Sequence, residues 1–326
     1  MLNSLLQRIF QALLVVLAMT VIVFAALHVI GNPVDILLPA DADQHDRQRL
    51  IRDLGLDKPL LQQYLFFVRG LLHGDAGTSY VFNLPALQVI WQRLPATLEL
   101  AVCAMLLAVV IAIPLGLYAG LKPDSKLAKA IMAGSILGFS LPTFWVGLML
   151  IMLFSVWLGW LPSGGRGETV QLFGASWSFL TLDGLQHLLL PAFNLALFKA
   201  ALLLRLTRAG VQEVLPQDYI RLAQAKGLPY WRIVAVHVMK NILIPLVTVI
   251  GMEFGSVIAF SVVTETIFAW PGMGKLIIDS INVLDRPVIV AYLMMIVLLF
   301  VGINLVVDIV YTLLDPRVRL REQGKS

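Results

Sequence analysis

Six apolar stretches, at about 9–30, 97–118, 133–160, 186–207, 241–263 and 288–313, are each long enough to cross a bilayer. One membrane helix needs about 20 predominantly apolar residues. A chain of 326 residues that carries six such stretches has little left from which to build a soluble core. Composition agrees, with 59% hydrophobic and 13% charged residues against roughly 45–50% and 25% in an ordinary soluble domain. The sequence therefore reads as an all-α membrane protein with six transmembrane helices. The fourth stretch is the least apolar, because Lys199 interrupts it. The first is read as a helix rather than a signal peptide: its apolar run, Ile9 to Ile30, exceeds the roughly 7–15 residues of a signal core and no A-x-A cleavage pattern follows it. Cys103, the single cysteine, falls in the second stretch and reads as a buried apolar thiol.

Lys and Arg in the connecting segments set the orientation. With the N-terminus inside, the inner segments hold fourteen of the 24 Lys and Arg residues, while the much longer outer segments hold nine. Both termini are expected in the cytoplasm. The chain then divides into a first transmembrane helix over 1–30, an extracytoplasmic cap over 31–95, a five-helix core over 96–314 with a cytoplasmic element at about 216–230, and a cytoplasmic tail over 315–326. The cap reads as short helices packed on the membrane surface. Segment 161–185 reads as a glycine-rich loop with a turn or hairpin, and 264–287 as a turn around FAWPGMGK.

Chemistry of the familiar catalytic kinds is absent from the sequence. No H-E-x-x-H, Cys-x-x-Cys or G-x-S-x-G occurs, and the five histidines are scattered without carboxylates at metal-ligand spacing. WPGMGKL (270–276) is superficially like a phosphate loop. Residue 269 is Ala where the first glycine belongs, and Leu276 stands where Ser or Thr would bind the metal. The chain is expected to have no ATPase site, metal or cofactor of its own, so any energy source must be borrowed or ionic.

One polar stretch between apolar spans, DYIRLAQAKGLPYWRIVAVHVMKN (218–241), stands out. Pro216 suits the first turn of a helix, which can run from about Gln217 to Lys226. Gly227 fits a left-handed cap that ends it, and Pro229 can restart a helix that enters the fifth span. Ala223 and Ala225 bring little bulk, so another protein can approach closely, with Arg221 and Lys226 beside them. So short a helix is marginal alone. Physics by itself leaves two readings open, a docking helix and an ordinary connecting loop.

YIRLAQAKG (219–227), with the later Pro245, resembles the cytoplasmic signature of ABC importer permeases, in which E-A-A, a glycine and a downstream proline mark the coupling helix. Here Ala223-Gln224-Ala225 stands at the E-A-A position and Lys240 at the usual proline position, as in the peptide and nickel branch of the family. Similar family stretches follow in order: LGLDKPLLQQY (54–64), HGDAGTSY (73–80), RLPATLELA (93–101), SLPTFWVGLML (140–150), LLRLTRAG (203–210), ETIFAWPGMGKL (265–276) and NLVVDIVYTLLDPRVR (304–319). The chain resembles the first of the two permease subunits of a dipeptide, oligopeptide, glutathione or nickel importer. The resemblance implies an ABC type I importer permease fold in a bacterial inner membrane. It also implies four partners: a second homologous permease, two ATP-binding subunits and an outside solute-binding protein. Tyr219, Arg221, Ala223, Ala225, Lys226 and Gly227 would couple it to the ATPases, which bind the ATP. Peptides are the favoured cargo, because no His or Cys cluster lines the spans; glutathione and a nickel chelate stay open.

Ionisable residues at membrane depth are costly and have a task or a partner. Four stand out: Glu99, Lys199, Glu253 and Asp308. Glu99 lies near the outer end of the second span, either reaching water or facing the substrate path. Glu253, with Gly251, Gly255 and Ser256 around it, can line a path or serve close helix packing. Lys199 and Asp308 are expected to form a structural ion pair. An ion-coupled secondary transporter is the competing class; it predicts midplane coupling carboxylates and inverted repeats, and no repeat is found.

Overall fold

The computed structural model describes residues 2–29, 34, 38, 43–53 and 55–314; the side chains of 2–7, 27–29, 53, 308 and 311–314 fall outside that set, as do the expected tail 315–326 and most of 30–42. In chain order the elements are α1 (Leu2–Val29), α2 (Gln44–Asp53), α3 (Leu60–Leu72), α4 (Ala86–Leu121), α5 (Lys126–Ser140), α6 (Thr143–Trp157), β1 (Val170–Leu172), β2 (Ala175–Trp177), α7 (Leu182–Val214), α8 (Asp218–Ala225), α9 (Tyr230–Ile267), α10 (Met273–Asn282) and α11 (Arg286–Leu314). Among the described residues, five helices are individually long and apolar enough to cross a membrane, and a sixth span is counted if the bent pair α5 and α6 is one. The chain forms two compact units: Met1–Leu94 with Lys275–Val301, and Pro95–Gly274 with Gly302–Ser326.

In the first unit, α1 shows an exposed apolar face at Leu13, Leu17, Val21 and Ile22, as a helix bathed in lipid should. Its other face meets α3. Tyr64 Oη and Thr20 Oγ1 share a hydrogen bond of 2.8 Å, and the rings of Tyr64 and Phe67 pack on Phe24. Phe67 and Leu71 then close over Val23, Val290 and Met294. Within the expected cap, α3 lies along the half of α1 that ends at Val29, where its Tyr-Phe-Leu face finds an apolar partner. The HGDAGTSY stretch is fastened to the start of α11. Buried Asp285 accepts hydrogen bonds from Ser79 Oγ and from the backbone N–H groups of Tyr80 (3.2 Å) and Val81 (3.4 Å). Burial pushes the Tyr80 phenol above its usual range; the neighbouring Arg286 opposes that shift and Asp285 adds to it.

The second unit is built around α7, which packs against α5, α6 and α9. It also meets α4 through Gly116 and Gly120. A Cβ on Gly116 would sit 2.6 Å from Leu204 O and 2.7 Å from Thr207 Cβ, and one on Gly120 2.6 Å from Val211 Cβ. This small-x-x-x-small spacing, which lets membrane helices approach backbone to backbone, is present in the sequence and was not singled out there. The third expected span, 133–160, is not one straight helix. α5 stops at Ser140 and α6 starts at Thr143 with the axes bent by 106°. Leu141 is extended at ψ 137° ahead of Pro142, because the proline ring disfavours helical geometry in the residue before it. Pro191 lies within the unbroken α7. The expected loop at 161–185 contains a hairpin, β1 pairing antiparallel with β2. Its two-residue turn puts Phe173 (φ 54°) and Gly174 (φ 77°) in the left-handed region that such hairpins require.

Candidate functional site

The polar stretch folds largely as its local signals dictate. Gln217 is extended before Asp218, helix α8 runs to Ala225, and Lys226 caps it. Gly227 has φ +72° with open space around its missing Cβ. The N–H of Gly227 bonds to Gln224 O (2.9 Å) and that of Leu228 to Ala223 O (3.2 Å), satisfying carbonyls that a helix end leaves orphaned. Pro229, with φ −64° and ψ 142°, starts α9.

The side chains sort onto two faces. Ile220 and Ala223 are buried, as are Ile233 and Val238 in the π-helical first turns of α9, against which α8 packs. Tyr219, Leu222, Ala225 and Lys226 are exposed, with Tyr230 and Trp231 exposed beyond them. Ala223 is therefore corrected: its small side chain lets α8 close on its own chain and does not form the outward surface. Leu222 takes that place, one turn from Tyr219 and from Lys226, a signal that the i, i+3, i+7 spacing carried. Arg221 reaches its own helix, 3.7 Å from Asp218, and both side chains are exposed.

Lys199 and Glu253, assigned different roles from sequence, are partners. Lys199 Nζ donates to Glu253 Oε2 at 2.5 Å and to Ser256 Oγ at 2.6 Å. The Ser256 hydroxyl lies 2.9 Å from the Glu253 carbonyl and 3.0 Å from Oε2. The sequence paired Lys199 with Asp308. The register of α7 against α9 sets Lys199 beside Glu253, and the Asp308 side chain lies outside the described residues. Lys199 sits near the middle of the 33-residue α7, about 25 Å from Leu182 and 22 Å from Val214 at 1.5 Å per residue.

Glu99 does not reach water. Its Oε2 accepts from Arg166 Nε (3.1 Å) and Nη2 (2.6 Å). Its Oε1 accepts from Ser178 N (2.7 Å), Ser178 Oγ (2.8 Å) and Phe179 N (2.7 Å). Arg166 also donates to Ser176 O at 2.5 Å. With every lone-pair direction used and the side chain buried, the Glu99 carboxylate fastens the 161–181 loop. The partners Arg166 and Ser178 lie 67 and 79 residues away, beyond any local pattern.

A further buried carboxylate escaped the sequence reading. Glu265 accepts from Thr97 Oγ1 (2.8 Å) and Ser261 Oγ (2.9 Å), and Thr97 Oγ1 accepts from Met273 N (2.8 Å). Trp270 Nε1 donates to Ala96 O at 2.9 Å. Cβ atoms on Gly272 or Gly274 would run into the Glu265 carboxyl group. The glycines of WPGMGK that mimic a phosphate loop are thus present so that backbone can pass close to Glu265.

Comparison with known proteins follows this geometry. Residues 1–101 match the N-terminal part of the binding-protein-dependent transport system membrane components, and residues 112–320 match the binding-protein-dependent transport system inner membrane component. The dipeptide transport system permease protein DppB of Escherichia coli (strain K12) is 36% identical over 98% of this chain and 99% of its own length. The di/tripeptide transport system permease protein DppB of Pseudomonas aeruginosa (strain UCBPP-PA14) is 40% identical over 92% and 94%. The oligopeptide transport system permease protein AppB of Bacillus subtilis (strain 168) is 40% identical over 96% and 98%. Among solved structures, an inward-facing form of the MetNI methionine ABC transporter matches with TM-score 0.54 at 17% identity, covering 70% of this chain and 97% of that one. That likeness concerns the fold, which is of the ABC type I importer permease kind.

Proposed function

Since this chain belongs to the binding-protein-dependent transport system inner membrane components, we propose that it is the permease subunit through which an ATP-driven importer passes short peptides. The observation that carries the reading is the likeness to peptide permeases of three organisms, at 36–40% identity over more than nine-tenths of the chain. A homologous permease completes the path, two ATPases engage from the cytoplasm, and an outside binding protein delivers the cargo. The termini and α8 face the cytoplasm, in keeping with the Lys and Arg distribution.

In this reading α8 is the coupling helix. Its exposed Tyr219, Leu222, Ala225 and Lys226 offer an apolar stripe with one cation, and an eight-residue helix gains rigidity from its own buried side and from a partner on the other. Movement of an ATPase reaches the membrane because Gly227 and Pro229 make a short, closed connection from α8 to α9. Glu253 and Ser256 line the path. Glu99 and Lys199 do not share one role: the first fastens a loop and the second stands beside Glu253.

The test is purification of the chain with its operon partners, followed by reconstitution into liposomes. ATPases should co-purify, and uptake of a labelled dipeptide should require both ATP inside and binding protein outside. Uptake by the chain alone, driven by an ion gradient, would overturn the reading.

A further inference from the structure

We infer that the Lys199–Glu253 pair is a docking point for the two charged ends of a short peptide in transit, Glu253 receiving the α-ammonium and Lys199 the carboxylate. The inference rests on the importer reading above and names the chemistry by which the path meets its cargo.

Two ion pairs of the second unit are built differently. In the Arg166–Glu99 pair the side chains are 12% and 0% exposed, and the carboxylate is saturated by five donors. In the Lys199–Glu253 pair they are 19% and 24% exposed, and among the described residues Glu253 Oε1 accepts no hydrogen bond. Lys199 has three N–H groups and spends them on two partners. Among the described residues, one acceptor and one donor of opposite charge therefore stand side by side and unspent. A pair whose only task was to tie α7 to α9 would gain from being closed like the first.

Depth sharpens the point. Lys199 lies eight residues from the nearer end of the apolar stretch 186–207, about 12 Å at 1.5 Å per residue and beyond the reach of a lysine stem, so the charge cannot snorkel to a headgroup region. An ion pair with an uncovered edge at that depth is untenable against acyl chains. The edge needs polar company at that depth, and in an importer the path for the cargo, completed by the sister permease, supplies it.

The surroundings fit a site that reads peptide ends and ignores side chains. Met252 is 56% exposed and Phe260 is exposed, one turn of α9 before and after Ser256. Methionine adapts to varied apolar shapes, and neither residue offers a hydrogen bond that would select one peptide side chain. A zwitterionic peptide can exchange its ends for the internal partners without leaving any charge unpaired. That limits the desolvation cost that a singly charged ligand would incur here.

The test uses the complete complex in a Cys103→Ala background with Met252→Cys, and reads the rate at which a water-soluble thiol reagent modifies the new cysteine. Modification is expected to proceed. Alanyl-alanine at saturating concentration should slow it about tenfold, as loss of a charge-assisted site to a bound ligand implies, and N-acetyl-alanyl-alanine amide less than about twofold. In the double variant Lys199→Met with Glu253→Gln, which leaves no orphan charge, the two peptides should protect equally while the ATPases still co-purify. A cysteine that the reagent does not reach, equal protection by both peptides, or discrimination that survives in the double variant would each overturn the site. ATP-dependent dipeptide uptake by the Cys103→Ala complex reports on the importer reading separately. Uptake without charge-dependent protection sinks the docking point alone, whereas absence of ATPases and of uptake sinks both.

Discussion

Glu99→Gln isolates the buried pair that fastens the 161–181 loop to α4. Gln can keep its oxygen at the Oε1 position, where Ser178 N, Ser178 Oγ and Phe179 N donate at 2.7, 2.8 and 2.7 Å. Its amide nitrogen then faces Arg166 Nε and Nη2, which had bonded at 3.1 and 2.6 Å to a carboxylate oxygen. Two charge-assisted bonds disappear and a donor meets donors. Breaking a buried pair costs about 3–5 kcal/mol. Arg166 keeps its bond to Ser176 O and is 12% exposed, so the low end applies, about 3 kcal/mol. At about 2–4 °C per kcal/mol for a unit near this size, the expected fall in Tm is about 6–12 °C. Thermal unfolding of the purified complex measures it. Limited proteolysis at the hairpin tip, where Phe173 is 97% exposed, should show faster cutting in the variant. Adding Arg166→Met removes the stranded cation and should recover at least about 2 kcal/mol in a double-mutant cycle. A cost below about 1 kcal/mol, or two substitutions that simply add, would refute the argument that this pair holds the loop.

Cysteines at Asp46 and Gln224 should react with an impermeant reagent from opposite sides of intact cells; reaction of both from outside would reverse the proposed orientation. Gly227→Val adds strain at φ +72°, where a β-branched residue is disfavoured by roughly 1–3 kcal/mol, and should depress binding-protein-stimulated ATP hydrolysis while pairing with the sister permease persists. Leu222→Asp should do the same from the exposed face of α8, whereas Ala223→Trp should lower thermal stability first, since its site is filled by this chain; equal Tm for both variants would contradict the two-faced assignment. Gly120→Leu, whose Cβ would lie 2.6 Å from Val211 Cβ, should cost about 1–3 kcal/mol through overpacking, read as lost folded protein in detergent extracts.

Signals that act over a few residues could be read directly from the sequence. Six stretches of bilayer length require helices because lipid offers backbone groups no partner but each other. Gly227 and Pro229 close α8 and open α9, because glycine reaches φ +72° without steric cost and the proline ring fixes φ, and Leu141-Pro142 carries the cause of the α5–α6 bend, though the sequence alone did not give its 106° angle. What tertiary structure decided is which polar group meets which. Lys199 finds Glu253 across 54 residues, Arg166 finds Glu99 across 67 and Thr97 finds Glu265 across 168. Those pairings depend on how one helix is rotated and shifted against another. That register is set by contacts such as Gly116 and Gly120 on Thr207 and Val211, and hydropathy is nearly blind to it. The same holds for Ala223: that it is small is plain in the sequence, and that it turns inward follows only from the place where the first turns of α9 pack.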